Sequence, residues 1–268
     1  MIATLRFSIK ELLPYINWVY FYHAWGVKRD VSGDLKREAA DLLSEWSRQS
    51  INALFRVRLL KANALNDNIY LQEYENSDAF DVNKKVKCSL PLVPLLRQQH
   101  SPFLCLADFF PPPGYSPSTI GLFLSTVSVT SCDLMSQILA DRLAEAAAEK
   151  GHELTRKYLW RYSPDENLTP NELFAEHYQG KRPAVGYPSL PDQSINFILG
   201  DLLDFSSLGV ELTENAAMIP HSTTTGLMVS HPQCQHFSVG TIGDDQLADY
   251  ALRRGVSAEW IRKYLDMS

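Results

Sequence analysis

The sequence predicts a single α+β domain, and three observations carry that prediction. Stretches with strand character follow one another over residues 53–129 without an intervening helix, which favours antiparallel pairing over a doubly wound sheet. The clearest helix, Asp133–Leu159, comes after those strands instead of alternating with them. The 268 residues are 45% hydrophobic and 21% charged, with no internal repeat, low-complexity segment or linker. That composition suits one large globular domain, long enough to bury its core without a staple.

Taken in order, the start reads as helical. Ser8 is placed to cap a short helix through Leu13, and Pro14 interrupts it. Tyr15, Trp18, Tyr20, Phe21, Tyr22 and Trp25 follow, with Gly26 as a stop; aromatics at this spacing usually pack a core. Asn17 is the polar residue among them and suits the cap of a turn. Ser32–Asn52 is expected to be a longer helix, with Leu35, Ala39, Leu42, Leu43 and Trp46 at helical spacing and Ser32 or Asp34 as its cap. Strands are expected at Ala53–Lys61, Asn68–Tyr74, Phe103–Phe109 and Ile120–Val129, and Pro111–Gly114 forms a rigid loop before the last. In Asp133–Leu159 the residues Leu139, Arg142, Leu143, Ala146 and Ala147 share one face. Asp141, Glu145 and His152 lie on a neighbouring face, where Glu145 by itself reads as a solvated charge. Asp165 or Thr169 opens a helix over Pro170–Tyr178, and Pro170 suits its first turn. A loop from Gly180 to Pro191 leads to a helix at Ser194–Ser206. Short strands are expected near Ala216–Ile219, Gly226–Val229 and Phe237–Ile242. Two small helices, Asp244–Arg254 and Ser257–Leu265, are separated by Gly255.

The charge balance narrows the function. Lys and Arg number 25 against 31 Asp and Glu, a formal charge of −6, which argues against a nucleic-acid or anionic-membrane partner. The cysteines at 88, 105, 132 and 234 form no CxxC pair and have no histidine at metal-ligand spacing, as expected of reduced thiols rather than a zinc site. His231 and His236 flank Cys234 but lack a second ligand pair. No signal peptide is evident, and prolines break the longest uncharged stretch, Phe109–Cys132, so a soluble cytoplasmic protein is expected. Nucleotide-loop, metalloprotease and nucleophile-elbow motifs are missing from the sequence.

Arg182-Pro-Ala-Val-Gly-Tyr-Pro188 carries the most chemistry. Two prolines stiffen it, Gly186 permits φ > 0 or close approach of a ligand, Arg182 offers a donor fork for a carboxylate or phosphate, and Tyr187 offers an aromatic face. Such a set suits a small zwitterionic ligand with a flat ring. A rigid surface turn with Arg182 in a salt bridge is the alternative that local chemistry leaves open.

LRF, LLPYINW and AW near the start, LRQQ at 96–99, CLADF at 105–109, ADRLAEA at 140–146, YSPDENLTPNEL at 162–173, YQGKRPAVGYP at 178–188, LTENAAM at 212–218, SHP at 230–232 and DYALRRG at 249–255 stay in order over most of the chain. In these the chain resembles the C-terminal activation (reactivation) domain of cobalamin-dependent methionine synthase. The resemblance implies a single domain over 1–268, a bent, mostly antiparallel sheet with packed helices, and binding of S-adenosylmethionine (AdoMet). It implies that an oxidised cobalamin, carried by a partner, is returned to methylcobalamin by one electron, in bacteria usually from flavodoxin, and by the AdoMet methyl group. By the same resemblance Arg182 holds the AdoMet carboxylate, the backbone at Ala184 and Gly186 runs along the ligand, and Tyr187 and Glu145 belong to the site.

Two positions depart from the family pattern. Asn17 stands where an aspartate near the ligand's amino group is common, and His236 stands for a tyrosine that follows SHP. No cobalamin, folate or homocysteine module precedes Met1, so the expectation is a stand-alone protein acting in trans on a cobalamin-binding domain or truncated methionine synthase. An accessory or sensor that binds AdoMet without catalysis is the main alternative. An unrelated enzyme on the same fold is a third, with no nucleophile–base pair to support it.

Overall fold

The computed structural model describes residues 1–27, 33–73, 90–130 and 133–265. The elements in chain order are β1 (Ile2–Ser8), α1 (Ile9–Leu12), α2 (Trp18–Ala24), α3 (Asp34–Arg48), β2 (Asn52–Leu65), β3 (Asn68–Gln72), β4 (Val93–Pro94), β5 (Ser118–Val127), α4 (Leu134–Leu154), α5 (Pro170–Phe174), α6 (Ile195–Leu203), β6 (Glu211–Leu212), β7 (Met218–Ile219), β8 (Thr223–Met228), α7 (Asp244–Arg254) and α8 (Ala258–Arg262). The main sheet runs β4-β3-β2-β5-β8, all antiparallel, and β6-β7 form a separate small ribbon. Strand β2 is long enough to pair with β1 through residues 52–58 and with β3 through residues 61–65, while β5 lies along its other side.

Side-chain alternation divides the core between the two faces of this sheet. Phe55, Val57 and Phe123 face α1, α3 and α4, whereas Leu60, Ile120, Leu122 and Leu124 pack with Ile195 and Leu199 of α6. Helix α4 lies across β5, β2 and β8, and Gly151 lets it come close: a Cβ there would sit 2.5 Å from the Phe55 ring. The hydroxyl of Ser125 donates to the carbonyl of Ala144 at 2.7 Å and fixes the depth of this contact. On the other face Arg56 and Arg58 donate to the carbonyls of Leu203 and Leu202 at 2.8 and 2.7 Å, satisfying the exposed end of α6. A third cluster, around Leu96, Val239, Leu247 and Ile261, holds the C-terminal helices. Among the described residues no helix is long and apolar enough to cross a membrane.

Several expectations change. Residues 2–8 form strand β1 before the helix; Ser8 ends it and caps α1 with Glu11 in a capping box. The apolar stretch Phe103–Phe109 is no strand. Cys105 and Asp108 close a 3₁₀ turn over Leu106–Phe109, because the Asp108 carboxylate takes the Cys105 N–H at 2.8 Å. Phe237–Ile242 forms no strand either: the Val239 N–H donates to Pro188, and the Ser238 carbonyl accepts from the Gln98 side chain. Helix α4 stops at Leu154 and continues as a π turn over Thr155–Leu159. Helix α6 ends at Leu203, where Asp204 turns left-handed at φ 50°. Helix α3 begins at Asp34, since Gly33 holds its N-terminal boundary at φ 74°. Ser32, Tyr74, Cys88 and Cys132 lie outside the described residues.

Candidate functional site

The Arg182 segment is positioned by the outer edge of the sheet. Lys181 and Val229 exchange backbone hydrogen bonds at 2.9 Å, Leu227 donates to Pro183 at 3.0 Å, and Val185 donates to Thr225 at 2.9 Å. These residues extend the sheet one step past β8. Pro183 accepts from Leu227 but has no N–H to return to it, so the pairing with β8 is one ladder bond short at that position. Close approach depends on Gly226, where a Cβ would lie 2.2 Å from the Pro183 carbonyl oxygen and 2.7 Å from the Ala184 Cα. Gly186, at φ 90°, turns the chain, and its N–H donates to Leu190 at 2.9 Å. Arg182 is thereby held with its guanidinium 5.1 Å from the Phe123 ring centroid.

Across from it α4 presents Arg142, Glu145 and Glu149, which share one side of the helix. Asn17 caps α2 with its Oδ1 on the Val19 N–H at 3.1 Å, and Tyr15 and Tyr20 stand beside it. Leu173 and Phe174 of α5, followed by Glu176 and Tyr178, complete the wall, with His236 at the rim. Together they enclose a cleft of about 460 Å³.

Five of the sequence-predicted residues, Asn17, Glu145, Arg182, Tyr187 and His236, therefore line one cleft. Ala184 and Gly186 do not contribute side-chain lining: Ala184 is buried against Gly226, and Gly186 sits in the exposed turn beside Tyr187. Sequence reasoning missed Tyr15, Tyr20, Arg142, Glu149, Glu176 and Tyr178. Helical spacing from Glu145 was a usable signal, since Arg142 and Glu149 lie three residues before it and four after. Reading the aromatic stretch as core concealed Tyr20, which is 60% exposed, whereas Phe21 is fully buried.

Charge inside the cleft is paired but incompletely satisfied. Arg182 Nη2 lies 3.4 Å from Glu149 Oε2, with both side chains largely buried. Arg182 Nε and Glu149 Oε1 have no hydrogen-bond partner. Burial pushes the Glu149 carboxyl up, opposed by the positive charges of Arg182 and Arg156. The Tyr187 phenol is also raised, first by the charge of Glu145 and then by burial. At the rim, burial works against ionising Glu176 but is outweighed by hydrogen bonds from His236 and Lys181, which hold it at about 2.

Behind the cleft a buried frame stiffens Tyr178. Arg156 grips Glu166 in a two-pronged pair at 2.8 and 2.6 Å, and its guanidinium lies 4.0 Å from the Tyr178 ring centroid. His152 meets the same ring edge-on at 5.0 Å. Burial, with Arg156, Arg182 and Lys181 nearby, holds His152 well below the usual imidazole range, so it is neutral at physiological pH.

The sequence profile of one family, described as "Vitamin B12 dependent methionine synthase, activation domain", matches residues 8–255. The chain belongs to this family. A solved structure titled "Crystal Structure of the MetH Reactivation Domain bound to AdoHcy" is similar to it, at 32% sequence identity and a TM-score of 0.86. The match covers 100% of this chain and 91% of that one. The curled antiparallel sheet with helices on both faces is thus the fold of a methionine synthase activation domain, in one domain as expected. The Arg182 loop and the Glu145 helix face each other across the cleft.

Proposed function

We propose that the cleft binds AdoMet and presents its methyl group to an oxidised cobalamin held by a methionine synthase partner, a separate chain. The observation that carries this reading is convergence. Residues from four separate stretches, at 17, 145, 182–187 and 236, meet around one cleft whose donors and acceptors suit this ligand.

The fit can be argued group by group. Arg182 supplies a planar fork for the α-carboxylate. Glu145, Glu149 and Glu176 offer negative charge to an ammonium and a sulfonium, and Tyr20, Tyr178, Tyr187 and Phe174 offer faces for a flat heterocycle and for the sulfonium. A volume of about 460 Å³ lies within the range usual for small-molecule sites. The AdoHcy of the similar solved structure is the product that AdoMet leaves after giving up its methyl group. When bound, AdoMet supplies the methyl group, while the corrinoid and an electron donor such as flavodoxin supply the electrons. This chain's part is to bind, orient and shield: Arg182 anchors one end of the ligand, and the aromatic walls hold the other and exclude water.

Mixing the protein with AdoMet, a reductant and a cobalamin-loaded domain, and following corrinoid absorbance, tests the reading. Methylcobalamin is expected to form only when all components are present. If none forms with any corrinoid partner while AdoMet binding is intact, the chain is instead an AdoMet-binding accessory or sensor. The replacements at Asn17 and His236 are the observation that favours this second reading.

A further inference from the structure

We propose that Glu149 is a ligand-binding carboxylate, which together with Arg182 forms a two-sided clamp on the amino-acid end of the ligand. The inference rests on the AdoMet reading above but goes beyond it to a residue that neither the sequence motifs nor the resemblance singled out. Glu149 stands one helical turn beyond Glu145 and lines the same cleft. Its Oε2 faces Arg182 Nη2 at 3.4 Å, longer than a good charged hydrogen bond. Each partner also keeps one buried polar atom without any bond, Nε on Arg182 and Oε1 on Glu149. Buried charged groups usually satisfy such atoms, and leaving them bare is costly. A structural ion pair can close into a two-pronged arrangement, as Arg156 and Glu166 do behind the cleft at 2.8 and 2.6 Å, although Arg156 Nη1 is also left without a partner there. The Arg182–Glu149 pair does not close in this way, and both of its residues line the cleft.

An α-amino acid carries its carboxylate and its ammonium on one carbon. Such a head group matches an adjacent guanidinium and carboxylate: the ligand carboxylate takes the unused donor of Arg182, and the ligand ammonium gives a hydrogen to the unused acceptor of Glu149. Both buried orphans are then satisfied at once, and the four charges alternate in sign. On this account Glu149 selects for a ligand that retains its amino group.

The test is a four-cornered binding comparison by calorimetry: wild type and Glu149→Gln, each with AdoHcy and with its desamino analogue, which keeps the carboxylate. Wild type is expected to bind AdoHcy at least tenfold more tightly than the desamino analogue. In Glu149→Gln that preference is expected to fall to within about threefold, which is the coupling that a merely structural carboxylate would not produce. Binding of 5′-methylthioadenosine, which lacks the whole amino-acid end, is expected to stay within twofold between the two proteins and reports that the variant's cleft is intact. If Glu149→Gln does not fold, the wild-type arm still decides: equal affinity for AdoHcy and the desamino analogue overturns the proposal. Uniform weakening of all three ligands by the substitution overturns it as well. Failure of wild type to bind any of them refutes the AdoMet reading itself, a different result from either.

Discussion

At the scale of single residues, Arg182 shows how little of a side chain's role lies in its own chemistry. Taken alone, the residue suits a surface salt bridge as well as a ligand anchor. Arg182 is in fact paired, with Glu149, but the pair is buried and not on the surface; its partner and its place over Phe123 depend on residues distant in sequence. Arg182→Ala is expected to weaken AdoMet binding by about 1.5–3 kcal/mol, the usual worth of a hydrogen bond to a charged group. Calorimetry giving equal affinities for wild type and variant would place the carboxylate elsewhere. Asn17 illustrates the converse: the sequence allowed it to be a cap or a site residue, and it is a cap that also lines the cleft. Aspartate caps a helix as well as asparagine does, so Asn17→Asp leaves α2 intact and adds a carboxylate at the cleft. It is expected to tighten AdoMet binding by about 1 kcal/mol, through a charge-assisted bond to the ligand ammonium. The gain should shrink as salt is raised. An unchanged or weaker affinity at low salt would show that the ammonium lies out of reach of this position.

At the scale of elements, the cleft exists because an irregular segment is pinned to a regular one. Arg182 points where it does because residues 181–185 are bonded to β8, and they can lie that close because residue 226 has no side chain. Gly226→Ala would bring a methyl group within 2.2 Å of the Pro183 carbonyl, so either β8 or the loop must move. A loss of about 1–3 kcal/mol in stability is expected, the range for overpacking, together with weaker AdoMet binding. Denaturant unfolding of the variant at wild-type midpoint would show that the loop yields freely. The legibility of these elements follows the same division. Helices α3, α4 and α7 and strands β2, β3 and β5 were readable, because each buries one face over enough residues for its period to stand out. Strand β1 was not readable: only Phe7 in it is buried, so alternation had almost nothing to act on. Phe103–Phe109 and Phe237–Ile242 misled for the opposite reason. Both are apolar enough for a strand, but a carboxylate and an amide side chain take the backbone groups that a ladder would use. At the site the motif residues were legible through the family resemblance and Glu149 had a signal in its helical spacing from Glu145, whereas the pairing of Glu149 with Arg182 became visible only when α4 and the Arg182 segment were brought together.

For the molecule as a whole, the distribution of nucleophiles decides what the protein does with its ligand. The cleft is lined by arginine, glutamate, asparagine, aromatic and histidine side chains, none of which reads as an activated attacking group. The phenols of Tyr178 and Tyr187 are raised and remain protonated, and His236 is engaged with Glu176. The two described cysteines, the strongest candidate nucleophiles, are buried away from the cleft lining. Burial pushes both thiols up to about 12, so at physiological pH neither supplies appreciable thiolate. On the proposed reading, a domain lined in this way would hold a methyl donor without spending it. AdoMet labelled in its methyl group is therefore expected to survive prolonged incubation with the protein alone at its uncatalysed rate. No label should enter the polypeptide, and AdoHcy should accumulate no faster than in buffer. Release of AdoHcy above that background, or a methylated residue found by mass spectrometry, would mean that the chain carries its own acceptor and that the corrinoid is dispensable. On the proposed reading the acceptor lies on another molecule and the cleft must open toward a docking partner that also leaves; the polar, charged rim of Glu176, Lys181 and His236 suits a contact that forms and breaks, since transient interfaces are more polar than permanent ones.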